Sequence, residues 1–162
     1  MFTAGIITVS DKGSRGERED TSGTAVIGLL EDATFRVTDY DIVPDELDII
    51  RDKLITLVDD KNIDLIVTTG GTGVSPRDVT PDATLEVIEK EIPGMAEAMR
   101  RESMAKTPHA MISRAVVGMR KQSLIINLPG SPKGAHENLS VLLPALKHAI
   151  EKIKGDQSDC AV

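Results

Sequence analysis

Aromatic side chains are nearly absent. Phe2, Phe35 and Tyr40 are the whole set, and there is no tryptophan. A flat heterocyclic ligand would find few rings to stack on, so aliphatic walls, backbone groups and its own phosphates must hold it. Cysteine is equally scarce: Cys160 is the one thiol in 162 residues. That excludes an internal disulfide framework and agrees with a reducing compartment. Cys160 has no base beside it in sequence and reads as a tail residue, not a nucleophile. No apolar run approaches the ~20 residues of a membrane-spanning helix, and the N-terminus lacks a charged-then-apolar leader. Cytoplasm is therefore the expected location, with no membrane partner. His109, His136 and His148 show no ligand spacing, which argues against a zinc site or a Ser-His-Asp triad. Positive charge is also in deficit. The net charge of −7 disfavours nucleic acid as a partner, so any phosphate site must be local.

What is present is the composition of one ordinary globular domain, with 40% apolar and 28% charged residues. We expect a single domain over residues 1–154 and a flexible tail over 155–162. Ala4 to Val9, Phe35 to Val43 and Asp64 to Thr69 read as strands. Helices are expected from Ser22, from Pro44-Asp45 to about Asp60, from Pro81 to Glu91 and from Met95 to Met104. Ser22 and Thr80 are the expected caps of the first and third of these. Arg114–Met119 and Ser123–Asn127 read as a β-hairpin. A last helix follows from Ala135 to Ile153, kinked or broken at Pro144. Alternating strands and helices predict an α/β three-layer sandwich on a mostly parallel sheet, plus that small hairpin. Ligands in such sheets sit beyond the carboxyl ends of the strands. Four loops leave from those ends: Ser10 to Ser22, Pro44-Asp45, Gly70 to Thr80, and Pro129 to Gly134.

The most informative stretch is Thr69-Gly70-Gly71-Thr72-Gly73-Val74-Ser75-Pro76-Arg77-Asp78-Val79-Thr80-Pro81. A strand runs into three glycines and then towards a helix start, the build of an anion-binding turn. It is neither a Walker loop nor a Rossmann fingerprint, and a plain tight turn is the competing reading. Arg77 can fork a phosphate or sit in a surface ion pair. Asp78 can hold a hard cation or bond its own turn. Asp45 reads alone as a helix cap, but topology makes it a neighbour of Asp78. Two carboxylates beside a glycine cradle suit metal-assisted phosphoryl or nucleotidyl transfer. Ser10 and Ser22 can each bond a phosphate or serve as turn and cap residues. Pro129-Gly130-Ser131-Pro132-Lys133 offers backbone, a hydroxyl and an ammonium near another helix start.

Several stretches together resemble one family. They are Val9-Ser10-Asp11, Ser14-Arg15-Gly16, Asp20-Thr21-Ser22-Gly23, Val43-Pro44-Asp45, the glycine loop with Arg77-Asp78-Val79-Thr80-Pro81, and Asn127-Leu128-Pro129-Gly130-Ser131-Pro132. They resemble the MogA/MoaB family of molybdenum cofactor biosynthesis and the G domain of gephyrin, over almost the whole chain. The resemblance implies a trimeric α/β domain that joins molybdopterin to AMP from ATP, with Mg2+, releasing pyrophosphate. It implies Asp45 and Asp78 as the catalytic and metal-handling acids. Gly70, Gly71, Thr72, Gly73 and Ser75 would bind phosphate or nucleotide. Ser10, Asp11, Ser22, Arg77, Pro129, Gly130, Ser131 and Lys133 would complete the pocket. A downstream molybdenum-insertion enzyme is the implied partner. The alternative within the same family is a MoaB-type protein that binds molybdopterin without a major catalytic role.

Overall fold

The structure is a computed structural model that describes residues 1–160. Its centre is a six-stranded sheet in the order β2-β1-β3-β6-β5-β4. The strands are β1 (Thr3–Val9), β2 (Arg36–Val43), β3 (Leu65–Thr69), β4 (Lys90–Glu91), β5 (Val117–Arg120) and β6 (Ser123–Leu128). β2, β1, β3 and β6 run parallel. β5 and β4 continue the sheet antiparallel. The expected hairpin is thus built into the sheet, with β6 as an inner strand. Of the expected tail, residues 161–162 lie outside the described residues.

Helices cover both faces. They are α1 (Asp11–Ser14), α2 (Thr21–Asp32), α3 (Leu47–Ile55), α4 (Thr80–Val87), α5 (Pro93–Met104) and α6 (Pro132–Ile153). Period-two alternation sorts the inner strands into two cores. Ile6, Leu65, Val67, Leu124 and Ile126 pack with α2, α5 and α6. Ile7, Val9, Ile66 and Ile125 pack with α3 and α4. Both faces of β1, β3 and β6 are therefore covered, which is why these strands read as near-continuous apolar runs.

Several expected boundaries differ. Asp20, not Ser22, caps α2, accepting the Gly23 N–H at 2.9 Å. Ser22 is buried inside the helix and donates to Asp20 Oδ1 at 3.3 Å. α4 starts at Thr80 itself, with Val79 at the cap position and no side-chain cap bond. It ends at Val87, not at Glu91, because Lys90–Glu91 find ladder partners on β5 at Met119 and Gly118. The flanking N–H groups of Glu89 and Ile92 also bond β5 carbonyls, each at 2.8 Å. α6 begins three residues early, where Ser131 caps it, and continues through Pro144 without a break. Its apolar stripe, Leu139, Leu142, Leu146 and Ile150, spans the proline and is buried on the sheet, so packing on both sides of Pro144 holds the helix together.

One buried polar group ties the walls of the glycine loop together. Asn127 on β6 accepts the Val116 N–H at 3.1 Å. Its amide donates to Thr68 Oγ1 at 3.0 Å and Thr84 Oγ1 at 2.9 Å. β3, α4 and the approach to β5 therefore share one fully satisfied amide. Asn127→Ala strands a buried N–H and removes the partner of two hydroxyls, besides leaving a void. The expected cost is about 2–4 kcal/mol by urea unfolding. A loss below about 0.5 kcal/mol would show that the network is not structural.

Candidate active site

The parallel register brings four strand ends into line. Val9 lies beside Val43, Thr8 beside Thr69, and Thr69 beside Leu128. From β1 the chain goes to β2 on one side and β3 on the other, so a crevice opens between the ends of β1 and β3. All four loops meet there.

Gly70 makes the crevice possible. Its φ is +105°, and a Cβ would stand 2.3 Å from the Val9 carbonyl oxygen. Its N–H donates to Leu128 O at 3.0 Å, which joins the ends of β3 and β6. Gly71 has φ +67°; a Cβ there would stand 2.4 Å from Thr80 Oγ1 and 3.2 Å from Asp45 Oδ1. Thr80 is fully buried, and its hydroxyl has no hydrogen-bond partner among the described residues. The N–H groups of Gly71, Thr72, Gly73 and Val74 also meet no protein acceptor among the described residues. A run of unengaged N–H groups is what a phosphate cradle presents.

The acids are anchored by backbone. Asp45 and Asp11 exchange bonds across the crevice: Asp11 N–H donates to Asp45 Oδ2 at 2.9 Å, and Asp45 N–H donates to Asp11 Oδ1 at 3.0 Å. Asp78 Oδ2 accepts the Ser75 N–H at 3.0 Å and lies above the Cα of Gly73. Asp45 and Asp78 each keep a second oxygen without a donor among the described residues. Burial pushes the Asp45 carboxyl above its ordinary pKa, against the bond from Asp11 N–H, and the charges of Asp11 and Asp78 push it further. Asp45 Oδ1 lies beside Gly71 and Asp78 Oδ2 beside Gly73, 3.2 and 2.8 Å from where a Cβ on each glycine would stand.

Arg77 is committed in this conformation. Nε donates to Asp11 Oδ2 at 2.7 Å, and Nη2 reaches Asp11 Oδ1 at 3.0 Å and Glu46 Oε1 at 2.9 Å. The fork holds the Asp11 carboxyl below its usual range, with help from the Asp45 N–H. Of its two readings, the structure shows the ion pair. Ser75 is exposed, and it, Asp11, Arg77 and Asp78 line neither of the cavities described next.

Two cavities flank the glycine ridge. One, of about 490 Å3, is bounded by Ser10, Asp20, Ser22, Asp45, Gly70, Gly71 and Gly130. The other, of about 400 Å3, is bounded by Thr72, Gly73, Arg100, Lys106, His109 and Lys133. Pro129 lines the second, and Ser131 lines both. Ser10 also caps α1 through the Gly13 N–H, and Ser131 caps α6 through the Gly134 N–H, both at 3.0 Å. Lys133 is 85% exposed at the rim, 3.9 Å from Glu137.

Three features escaped the sequence reading. Asp20 is a cavity wall held by the hydroxyls of Thr8 and Tyr40; these and the Gly23 N–H outweigh burial and keep its carboxyl below the ordinary value. Its place in Asp20-Thr21-Ser22-Gly23, an acid three residues before a glycine at a helix start, was the available signal. The basic set Arg100, Lys106 and His109 is scattered on and after α5 and has no local pattern. Arg114, which grips the glycine loop from the segment before β5, had none either.

Strand-end glycines and unengaged N–H groups where the parallel strands end are the build of a binding domain for phosphate-bearing ligands. Residues 5–148 match the family described as the probable molybdopterin binding domain, and the chain belongs to that family. It is 43% identical over 154 residues to the molybdopterin adenylyltransferase of Helicobacter pylori strain J99, covering 94% of this chain and 88% of that one. It is 42% identical to Dictyostelium discoideum gephyrin over 159 residues, 92% of this chain but 22% of that protein. Among solved structures it superposes with a TM-score of 0.91 on the molybdopterin biosynthesis enzyme MoaB of Thermus thermophilus. The identity there is 51%, over 96% of this chain and 98% of that one.

The cradle can be tested with two glycines that share a positive φ. Gly16 has φ +73°, and a methyl added to it would meet nothing within 4 Å, whereas the same methyl on Gly71 collides with Thr80 and crowds Asp45. Gly16→Ala is expected to cost about 1–2 kcal/mol and leave ATP affinity unchanged. Gly71→Ala is expected to weaken ATP binding by about tenfold or more in calorimetry. Equal ATP affinity in the two variants would remove Gly71 from the site.

Proposed function

We propose that this chain is a molybdopterin adenylyltransferase, transferring AMP from ATP to the terminal phosphate of molybdopterin with release of pyrophosphate. The observation that carries the reading is a glycine loop whose N–H groups are unengaged and which has Asp45 beside Gly71 and Asp78 beside Gly73. The names of the adenylyltransferase relatives supply the substrates.

A terminal phosphate oxygen of molybdopterin attacks the α-phosphorus of ATP. One P–O bond forms, the bond to the bridging α–β oxygen breaks, and pyrophosphate leaves. No protein nucleophile is needed, so the chain's task is positioning and charge neutralisation. Each reactant takes one of the two cavities, and their phosphates meet over Gly70 to Gly73. The loop N–H groups donate to phosphate oxygens and stabilise charge as it shifts towards pyrophosphate. Ser131, facing both cavities, is placed to contact both reactants. Aliphatic and backbone surfaces hold the ring systems, in keeping with the scarcity of aromatics.

Mg2+ fits this donor set. It takes one or two protein carboxylates and completes its shell with water and phosphate. Asp45 and Asp78, each anchored through one oxygen with the other without a donor, would hold it. No cage of three or more His, Cys, Asp or Glu side chains exists among the described residues, so phosphate or water oxygens must complete the shell. Bound there, the ion would neutralise charge on the phosphates.

A homotrimer and a downstream molybdenum-insertion enzyme as partner belong to the same proposal. Met104, Met111 and Ile112, at the end of α5 and in the turn beyond it, are 45%, 64% and 53% exposed and supply an apolar surface for assembly. No helix among the described residues is long and apolar enough to cross a membrane, and we place the chain in the cytoplasm. Light scattering is expected to give about three times 17.4 kDa; a monomeric mass would contradict the trimer.

Asp45→Asn and Asp78→Asn are each expected to lower adenylyl transfer by about 10²–10³-fold. Because the folded-state pKa of Asp45 is raised, its charge opposes folding at neutral pH. Asp45→Asn should therefore melt no lower than wild type at pH 7, and any gain should fade as pH falls through the raised pKa of Asp45 and be gone below about 4. Near wild-type turnover in either variant would remove that acid from the mechanism.

A further inference from the structure

We infer that Arg114 is a positioning residue for Asp78: one guanidinium closes the loop that holds this carboxylate against Gly73. The inference deepens the proposed transferase reading and rests on it for its kinetic consequences, though not for its structural ones.

Arg114 lies in the segment that leads into β5, far in sequence from the loop it holds. Its main-chain N–H donates to Thr72 O at 2.8 Å. Its Nε donates to Gly73 O at 2.8 Å, and its Nη2 to Asp78 O at 2.6 Å. The same guanidinium meets both oxygens of Asp82 on α4, at 3.1 and 3.0 Å. Both ends of the Gly73–Asp78 loop are thus tied to one side chain, which is tied in turn to the helix that follows. Between those ends Val74, Ser75, Pro76 and Arg77 are all exposed. The loop's own bonds, Asp78 N–H to Ser75 O at 2.9 Å and Ser75 N–H to Asp78 Oδ2 at 3.0 Å, set its shape but not its place on the protein. Arg77 reaches across to Asp11 and Glu46, but from its own exposed side chain.

A surface ion pair is the simpler account. The Arg114 and Asp82 side chains are 39% and 43% exposed, and such pairs contribute little. An ion pair does not require bonds to two carbonyls at opposite ends of a loop. It also does not place the arginine against the backbone of Asp78, the residue whose carboxylate must be held in register with Asp45. Misplacing a reacting group by about 1 Å can cost about 10²-fold in rate. Lysine cannot replace the clasp, since an ammonium on a flexible stem lacks the fork that spans Gly73 O, Asp78 O and Asp82 together.

Two variants separate clasp from ion pair. Arg114→Lys keeps the charge and loses the fork. Asp82→Asn removes the opposite charge and leaves the carbonyl bonds. For Arg114→Lys, kcat for adenylyl transfer is expected to fall about 10- to 100-fold, with KM for ATP and molybdopterin within about threefold. The Mg2+ concentration for half-maximal rate should rise, and the melting temperature should move by no more than about 2 °C. Asp82→Asn is expected to keep kcat within about threefold. In hydrogen exchange, amides of residues 73–78 should exchange faster in Arg114→Lys than in wild type while those of β3 and β6 do not change. Wild-type kcat and unchanged loop exchange in Arg114→Lys would overturn the inference, as would an Asp82→Asn loss equal to that of Arg114→Lys. A wild-type protein with no transferase activity would instead defeat the functional reading, and the exchange comparison would still decide the clasp. Should Arg114→Lys not fold, Arg114→Gln, uncharged and with two N–H donors, takes its place under the same criteria.

Discussion

Where β1, β3 and β6 end, backbone passes directly over backbone. Gly70 sits so close to the Val9 carbonyl that a single methyl would meet it at 2.3 Å, and Gly130 lies against the Cα of Gly70, 3.3 Å from where its own Cβ would be. This close approach brings three strand ends into one crevice, next to a loop whose N–H groups meet no acceptor among the described residues. Side chains at these positions would separate the loops. The parallel sheet supplies the alignment and the glycines allow the contact.

Around that contact the electrostatics are local. The chain carries −7 overall, yet its proposed ligands are anions. The acids of the crevice are therefore managed individually. Asp11 is neutralised by Arg77, Asp20 by hydroxyls and a helix N–H, and Asp78 by the backbone of its own turn. Asp45 is the exception, since burial and neighbouring charge both disfavour its ionised form. A cation bound beside Asp45, as proposed, would relieve that cost. Arg100 and Lys106 bring positive charge to the second cavity, where Glu137 pairs with Lys106 at 3.3 Å.

Much of this was legible in the chain. β1, β3 and β6 are buried on both faces and so appear as short apolar runs between turn residues. The crossings between β1, β2 and β3 follow from connection rules, and they predicted that the loops after these strands share one sheet edge. The glycine loop announced itself because backbone geometry demands glycine there. What was illegible has a common cause. β4 is two charged residues whose strand character comes only from β5, so no local pattern marks it. The continuity of α6 through Pro144 comes from packing on both sides of the proline, which overrides local propensity. Asp20 and Ser22 are both good cap formers two positions apart, and only the Gly23 N–H decides between them. Arg114 acts on residues 32 to 42 positions earlier in the chain, and an arginine near a strand start carries no sign of that. The pairing of Arg77 with Asp11 across 66 positions was equally out of reach.

The most direct measurement mixes purified protein with molybdopterin, Mg2+ and ATP labelled at the α-phosphate, and follows both products in a single turnover. The account predicts label appearing in adenylylated molybdopterin, with one pyrophosphate released for each AMP transferred. Molybdopterin bound at the site with no label transferred and no pyrophosphate released would contradict it, and would assign the crevice to holding the pterin alone.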